Sequence, residues 1–171
     1  MYDVMALRSE FPILDRILPN GKQLVYFDNA ATSQKPSFVI DAMNGYYTTY
    51  NSNAHRGAHT LADEATTALE SARASIASFF GADPSNLIYT SGTTEAINLV
   101  AYAWARRNLV EGDAVVLTEM EHHADIVPWQ ELSKEIGIEL RYVPLDLQNM
   151  CLDMDAFKHA LDGAGLVGVV H

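Results

Sequence analysis

From residue 87 onward the chain alternates short apolar runs with segments of helical length, and this rhythm restricts the fold more than any other feature. LIYT (87–90), AVVLT (114–118), ELRYVPLD (139–146) and LVGVV (166–170) have the length and β-prone composition of strands. Between them lie SGTTEAINLVAYAWARRNL, ADIVPWQELSKEIG and MDAFKHALDG, whose apolar residues recur at helical spacing. Strands and helices in this alternation predict right-handed βαβ crossovers and a mainly parallel sheet, an α/β fold. The last strand runs almost to His171 with no helix after it. Because a parallel sheet needs both faces covered, the sheet reads as incomplete.

The residues before 87 follow a different pattern. A short helical lead-in over 1–18 ends at the turn PNGK, and VYFD (25–28) is expected to be a short strand. Pro36 suits the first turn of a helix reaching Tyr50. NSNAHRGAH (51–59) reads as loop. A longer helix follows, with Leu61, Ala65, Ala68, Leu69, Ala72, Ile76 and Phe79 or Phe80 as its expected buried stripe, and GADPSN stops it.

Charge and cysteine content narrow the function. Eleven basic against 22 acidic side chains, a formal charge of −11, argue against a nucleic-acid footprint. Cys151 is the sole cysteine, so no intrachain disulfide can form, and a cytoplasmic home is expected. No signal-peptide pattern opens the chain, and no apolar run approaches the roughly 18 residues of a membrane span.

Ligands of open α/β sheets sit beyond the carboxyl ends of strands. SGTTE after LIYT, EMEHH after AVVLT, and His171 after LVGVV occupy such ends. In SGTTE, a glycine and two threonines at a helix start offer N–H groups, hydroxyls and the positive end of the helix dipole to a phosphate. The plainer alternative is a helix cap, with Gly92 at the cap and Glu95 in the first turn. No Walker or GxGxxG motif is present. His122 and His123 could be solvated, could join His55 and His59 in a zinc or iron centre, or could lay a ring on a planar cofactor and pass protons. Gly57 between His55 and His59 weakens the metal reading, since that segment reads as loop. A phosphate site beside a stacking ring describes a phosphorylated planar cofactor such as pyridoxal phosphate.

YFDNAATSQKP, NAHRGAHTLA, YTSGTTEAINLVA and MEHHADIVPWQ, in this order and at these intervals, resemble the N-terminal part of group II (SufS-type) cysteine desulfurases of the class V aminotransferase family. The resemblance runs from about Leu7 to His171. The pairing of HRGAHTLA with EHHADIVPW favours that family over the kynureninase-like and epimerase-like relatives. The resemblance implies a fold type I enzyme dependent on pyridoxal 5'-phosphate. Residues 1–58 would form an N-terminal segment with a loop at the active-site mouth, and 59–171 the first part of the cofactor-binding large domain. It further implies a homodimer that converts L-cysteine to alanine and passes the sulfur, through a persulfide, to an acceptor protein for iron–sulfur cluster assembly, with L-selenocysteine as an alternative substrate that yields selenium.

Residue by residue, the resemblance assigns Thr93 and Thr94 to the cofactor phosphate. His123 is assigned to stacking on the pyridine ring and to proton transfer, and His122 to support of its loop. Ala30 and Ala31 line the substrate carboxylate pocket. His55 and Arg56 lie at the mouth near the dimer interface, and Glu95 becomes an interface residue pointing away from the phosphate. The family's cofactor-binding lysine, in a Ser-Gly-His-Lys motif, has no counterpart here, and Lys22, Lys35, Lys134 and Lys158 occupy no matching position. The nucleophilic cysteine is likewise unmatched, and Cys151, between a strand and a helix, is expected to be a small apolar filler. The chain alone is therefore expected to be inactive, as the front part of an enzyme or as a non-catalytic dimer partner or scaffold.

Overall fold

A computed structural model describes residues 2–168 and divides into two compact units, one up to Leu87 and one from Ile88. The division expected after residue 58 falls inside the first unit.

In the first unit, helix α1 (Val4–Ser9) starts where the Asp3 carboxylate accepts the N–H groups of Met5 and Ala6 at 3.1 and 3.0 Å. A 3₁₀ turn (Pro12–Asp15) completes the lead-in. VYFD is extended but forms no strand, and Phe27 is 93% exposed. Its β propensity is real, yet a strand needs a neighbour to ladder with, and none pairs with it among the described residues. Helix α2 (Ser37–Gly45) follows Pro36 and widens into a π segment (Tyr46–Tyr50). Helix α3 (Thr60–Phe79) buries Ala62, Ala65 and Ala77, a narrow face of small residues. That corrects the expected stripe: Leu61, Ile76 and Phe80 are exposed, and Phe79 is 84% exposed. Only Ala65 of the stripe is buried, because helical periodicity reports a face but not what covers it.

The second unit carries the sheet. LIYT, expected to be a buried strand, is extended and unladdered, with Ile88 67% exposed. Helix α4 (Thr93–Leu99) runs through a π segment (Val100–Ala105) into the short helix α5 (Arg106–Asn108). Strand β1 (Ala114–Thr118) is buried at every residue, as a central parallel strand must be when both its faces are covered. Helix α6 (His123–Ile136) ends at Gly137, whose φ of 78° closes the helix in the left-handed region that glycine enters without steric cost.

Strand β2 (Glu139–Val143) pairs parallel with β1, Val115 opposite Leu140. The expected run to residue 146 breaks at Pro144, which has no N–H for the ladder. Leu145–Asp146 (β3) instead pairs antiparallel with Cys151–Leu152 (β4), around a turn held by the Asp146 carboxylate. Helix α7 (Met154–Ala160) leads to β5 (Ala164–Val167) on the other side of β1. The order β2-β1-β5 is parallel throughout, as the alternating pattern predicts. Residues 169–171, including the end of LVGVV and His171, lie outside the described residues.

Ile97 of α4 and Ala101 of the π segment after it pack with Val115, Leu117, Trp129 and Leu132 into one apolar core. This core fixes α4 and α6 against each other and against the sheet. No helix among the described residues is long and apolar enough to cross a membrane.

Candidate functional site

The site is built on two helix starts of the second unit. Thr93 is the first residue of α4 and follows Gly92 at the cap. Thr93 and Thr94 are exposed, and their N–H groups and hydroxyls donate no hydrogen bond among the described residues. Idle N–H and O–H donors at the positive end of a helix form a donor set suited to a phosphate group, so these residues fit the phosphorylated cofactor the motifs imply.

Glu95 settles its own apparent conflict with an anion. Its Oε2 accepts both the N–H and the hydroxyl of Ser91, each at 2.6 Å, tying the carboxylate back to the turn before the helix. This is a capping interaction displaced by one residue from the usual box. The two bonds, the hydroxyl's first and the N–H's second, hold its pKa below the ordinary 4.5. A depressed carboxylate pKa contributes stability above the unfolded value and loses it as pH falls through the folded one. Acid titration of backbone amide shifts is therefore expected to show the Ser91–Thr94 turn loosening only below about pH 4.5. Glu95→Gln removes this acid step; an unchanged titration in that variant would refute the cap.

His123 is the first residue of α6. Its ring stands edge-on to that of His122, centroids 6.1 Å apart and planes at 89°. The two adjacent histidines divide their work: His122 Nδ1 accepts the Ala124 N–H at 3.1 Å and closes the helix start. The His123 ring makes no hydrogen bond among the described residues. The turn delivering this pair from β1 is held by Thr118, whose buried hydroxyl donates to Glu121 at 2.8 Å and accepts the Met120 N–H at 3.2 Å. Sequence reasoning passed over Thr118 and Glu121, although a threonine three residues before a glutamate is itself a capping signal. Thr93, Thr94 and His123 thus share one unit, on helices that pack together.

The remaining candidates belong to the first unit. Ala30 and Ala31 sit, exposed, in a tight turn where the Asp28 carbonyl accepts the Thr32 N–H at 3.2 Å. The Tyr26 hydroxyl spans that turn, 2.8 Å from the Asp28 carbonyl and 2.6 Å from that of Thr32. His55 adopts a φ of 69°, rare for a residue with a Cβ, and its Nε2 lies 3.3 Å from Glu70 Oε1. Arg56 is exposed beside it.

The four-histidine metal reading is corrected. His55 and His59 share no helix: His55 lies in the loop, and His59 caps α3, its Nδ1 accepting the Ala62 N–H at 3.3 Å. With His122 also spent on a helix start, no group of three or more His, Cys, Asp or Glu among the described residues could hold a metal ion. Cys151 is corrected too: it lies in β4 and is exposed, so it fills no core.

The aminotransferase class-V family model matches residues 25–171. The chain belongs to the class V aminotransferases. Among its class V relatives, it is 49% identical to a probable cysteine desulfurase of Halobacterium salinarum, over 99% of this chain and 41% of the relative. It is 52% identical to the cysteine desulfurase of Synechococcus elongatus, over 85% of this chain and 23% of that protein. The fold superposes on the apo cysteine desulfurase of Thermococcus onnurineus with a TM-score of 0.83 at 36% identity, over 99% of this chain and 40% of that one. A C-DES mutant with glycine covalently linked to its PLP cofactor shares the fold at TM-score 0.68 and 22% identity. The chain therefore spans about two fifths of the first of these class V relatives.

Proposed function

We propose that this chain is the cofactor-phosphate and ring-stacking part of a cytoplasmic, homodimeric cysteine desulfurase. The enzyme would convert L-cysteine to L-alanine and pass the sulfur to an acceptor for iron–sulfur cluster assembly, or convert L-selenocysteine to L-alanine with release of selenium. The single observation that carries the reading is the start of α4, with Thr93 and Thr94 offering unused donors at the positive end of a helix. The identity to cysteine desulfurases along nearly the whole chain supports it.

In this reading Thr93 and Thr94 bind the phosphate of pyridoxal 5'-phosphate, with Glu95 holding their turn from the side of Ser91. His123 lies over the pyridine ring and carries a proton at an imidazole nitrogen, while His122 stiffens the helix start beneath it. Ala30 and Ala31 keep the substrate carboxylate pocket open by having no longer side chain. His55 faces the substrate from the loop at the active-site mouth, with Arg56 beside it near the dimer interface. Residues 1–58 then form the N-terminal segment, and 59–171 the first part of the cofactor-binding domain. When bound, the cofactor supplies an electron sink that lets bonds at the amino-acid α-carbon break.

Titrating this chain with pyridoxal 5'-phosphate and, separately, with pyridoxal tests the phosphate assignment. Thr93→Val with Thr94→Val is expected to weaken the phosphorylated ligand by about tenfold or more and to leave pyridoxal unchanged. Equal loss for both ligands, or no saturable binding by the unsubstituted chain, would remove the assignment. The intact mass of the protein in its own cells separates the two forms of the proposal. A mass more than twice 18.8 kDa means the front part of a desulfurase, and a mass near 18.8 kDa means a non-catalytic dimer partner or scaffold.

A further inference from the structure

The loop bearing His55 is held from one side of α3. Along that helix Ala62, Thr66, Glu70 and Arg73 recur at three- and four-residue spacing and so share one face. Each of the first three touches or approaches the loop. Gly57 lies so close to Ala62 that a Cβ built on it would sit 2.4 Å from the alanine's own. Thr66 Oγ1 accepts the His55 N–H at 2.8 Å while donating its only proton to the Ala62 carbonyl at 2.6 Å. Glu70 divides its oxygens, Oε1 at 3.3 Å from His55 Nε2 and Oε2 at 3.5 Å from Arg73 Nε. Backbone and ring of the same histidine are therefore restrained by residues eleven and fifteen positions further along the chain.

The restraint acts where it is needed. His55 is one of two non-glycine residues with positive φ among those described, at 69°. Side chains with a Cβ resist that region, so without an external hold the residue relaxes toward ordinary φ and swings its ring away. The Thr66 acceptor holds the strained residue directly, taking its N–H at 2.8 Å. The Glu70 carboxylate then limits the ring, favouring rotamers that keep Nε2 nearby.

We propose that Thr66 and Glu70 are positioning residues for His55, presetting the backbone and the ring of the substrate-side histidine before any ligand arrives. The role rests on the reading that places this loop at the active-site mouth. The hold itself does not depend on that reading.

Amide exchange and three-bond HN–Hα couplings of this chain, measured with no cofactor or amino acid present, test it. Thr66→Val keeps the volume and removes the acceptor. His55 N–H exchange is expected to accelerate roughly three- to tenfold, with its coupling leaving the left-handed value, while β1 amides stay protected. Thr66→Ser restores both, since it returns the oxygen. Glu70→Ala is expected to leave the Thr66 bond in place and to broaden the His55 ring rotamers, read from its side-chain couplings. Unchanged His55 exchange in Thr66→Val, with β1 still protected, overturns the inference. If Thr66→Val loses the β1 protection as well, Thr66→Ser and Glu70→Ala decide alone: a His55 N–H unprotected in Thr66→Ser, or ring rotamers unmoved in Glu70→Ala, also overturns it. Because no ligand is used, a failed cofactor titration leaves this result standing, and failure here leaves the phosphate assignment untouched.

Discussion

Trp129→Ala is expected to lower the stability of the second unit by about 4 kcal/mol, a large share of the roughly 5–15 kcal/mol that holds natural domains folded. The indole is only 2% exposed and belongs to the core that joins α4, α6 and β1. Deleting it removes its transfer energy and leaves a cavity between two helices that cannot both collapse onto a rigid sheet. A second penalty adds to the first. Trp129 Nε1 donates to Asp125 Oδ1 at 3.0 Å one helical turn away, and Asp125 is itself buried. Truncation withdraws that donor from a carboxylate out of reach of water. Trp129→Phe separates the two effects: it keeps most of the packing and should cost about 1–3 kcal/mol, mostly from the lost hydrogen bond. Urea titration followed by far-UV circular dichroism gives both values. A loss below 1 kcal/mol in Trp129→Ala would mean that this core does not hold α6 in place.

The other large effect is on chemistry. This chain, supplied with pyridoxal 5'-phosphate and L-cysteine, is expected to form alanine no faster than the free cofactor does. Cofactor-dependent amino-acid chemistry needs an amine to hold the aldehyde and to move the α-proton, and lysine is the side chain that does both. The chain has four lysines, and their positions speak against substitution for it. Lys134 pairs with Glu131 at 2.6 Å along the outer face of α6, and Lys158 pairs with Asp155 at 2.8 Å on α7. Lys35 donates to the Ser33 carbonyl beside it. Lys22 sits, exposed, in the turn after the lead-in. Properly placed acid–base groups contribute about 10²- to 10⁴-fold each, so a chain without the amine loses orders of magnitude at once. Saturable turnover that disappears in His123→Ala would overturn this expectation.

Periodicity was enough to place β1, β2 and β5 in a parallel sheet, since a nearly continuous apolar run such as AVVLT is stable only when covered on both faces. It failed where a strand's existence depends on a partner, as with VYFD and LIYT, and where one residue ends a ladder, as Pro144 does. At the site, Gly92 and Glu95 were legible because caps are local: the signal and the structure lie within four residues. The hold of α3 on His55 was hidden in an apolar stripe analysis that gave no weight to polar residues at the same spacing. Thr66 and Glu70 recur on one helix face as regularly as any leucine, but their partner is a loop with no periodicity of its own.

The placement of β1 at the middle of its sheet also sets an order of assembly. Ala114 pairs with Glu139 on one side and with Ala164 on the other, so the second pairing closes twice the length of chain. Doubling a loop adds about 0.6 kcal/mol of closure entropy, and β5 must wait for β1, α6, β2 and α7 to be made. The β1–β2 pair, closed locally through α6, is therefore expected to form before β5 docks. The register slip between β1 and β5 after Ala114 makes that docking looser still. Opening is expected to start from this side, with early exchange of the Gly168 N–H that the Val116 carbonyl accepts at 2.9 Å.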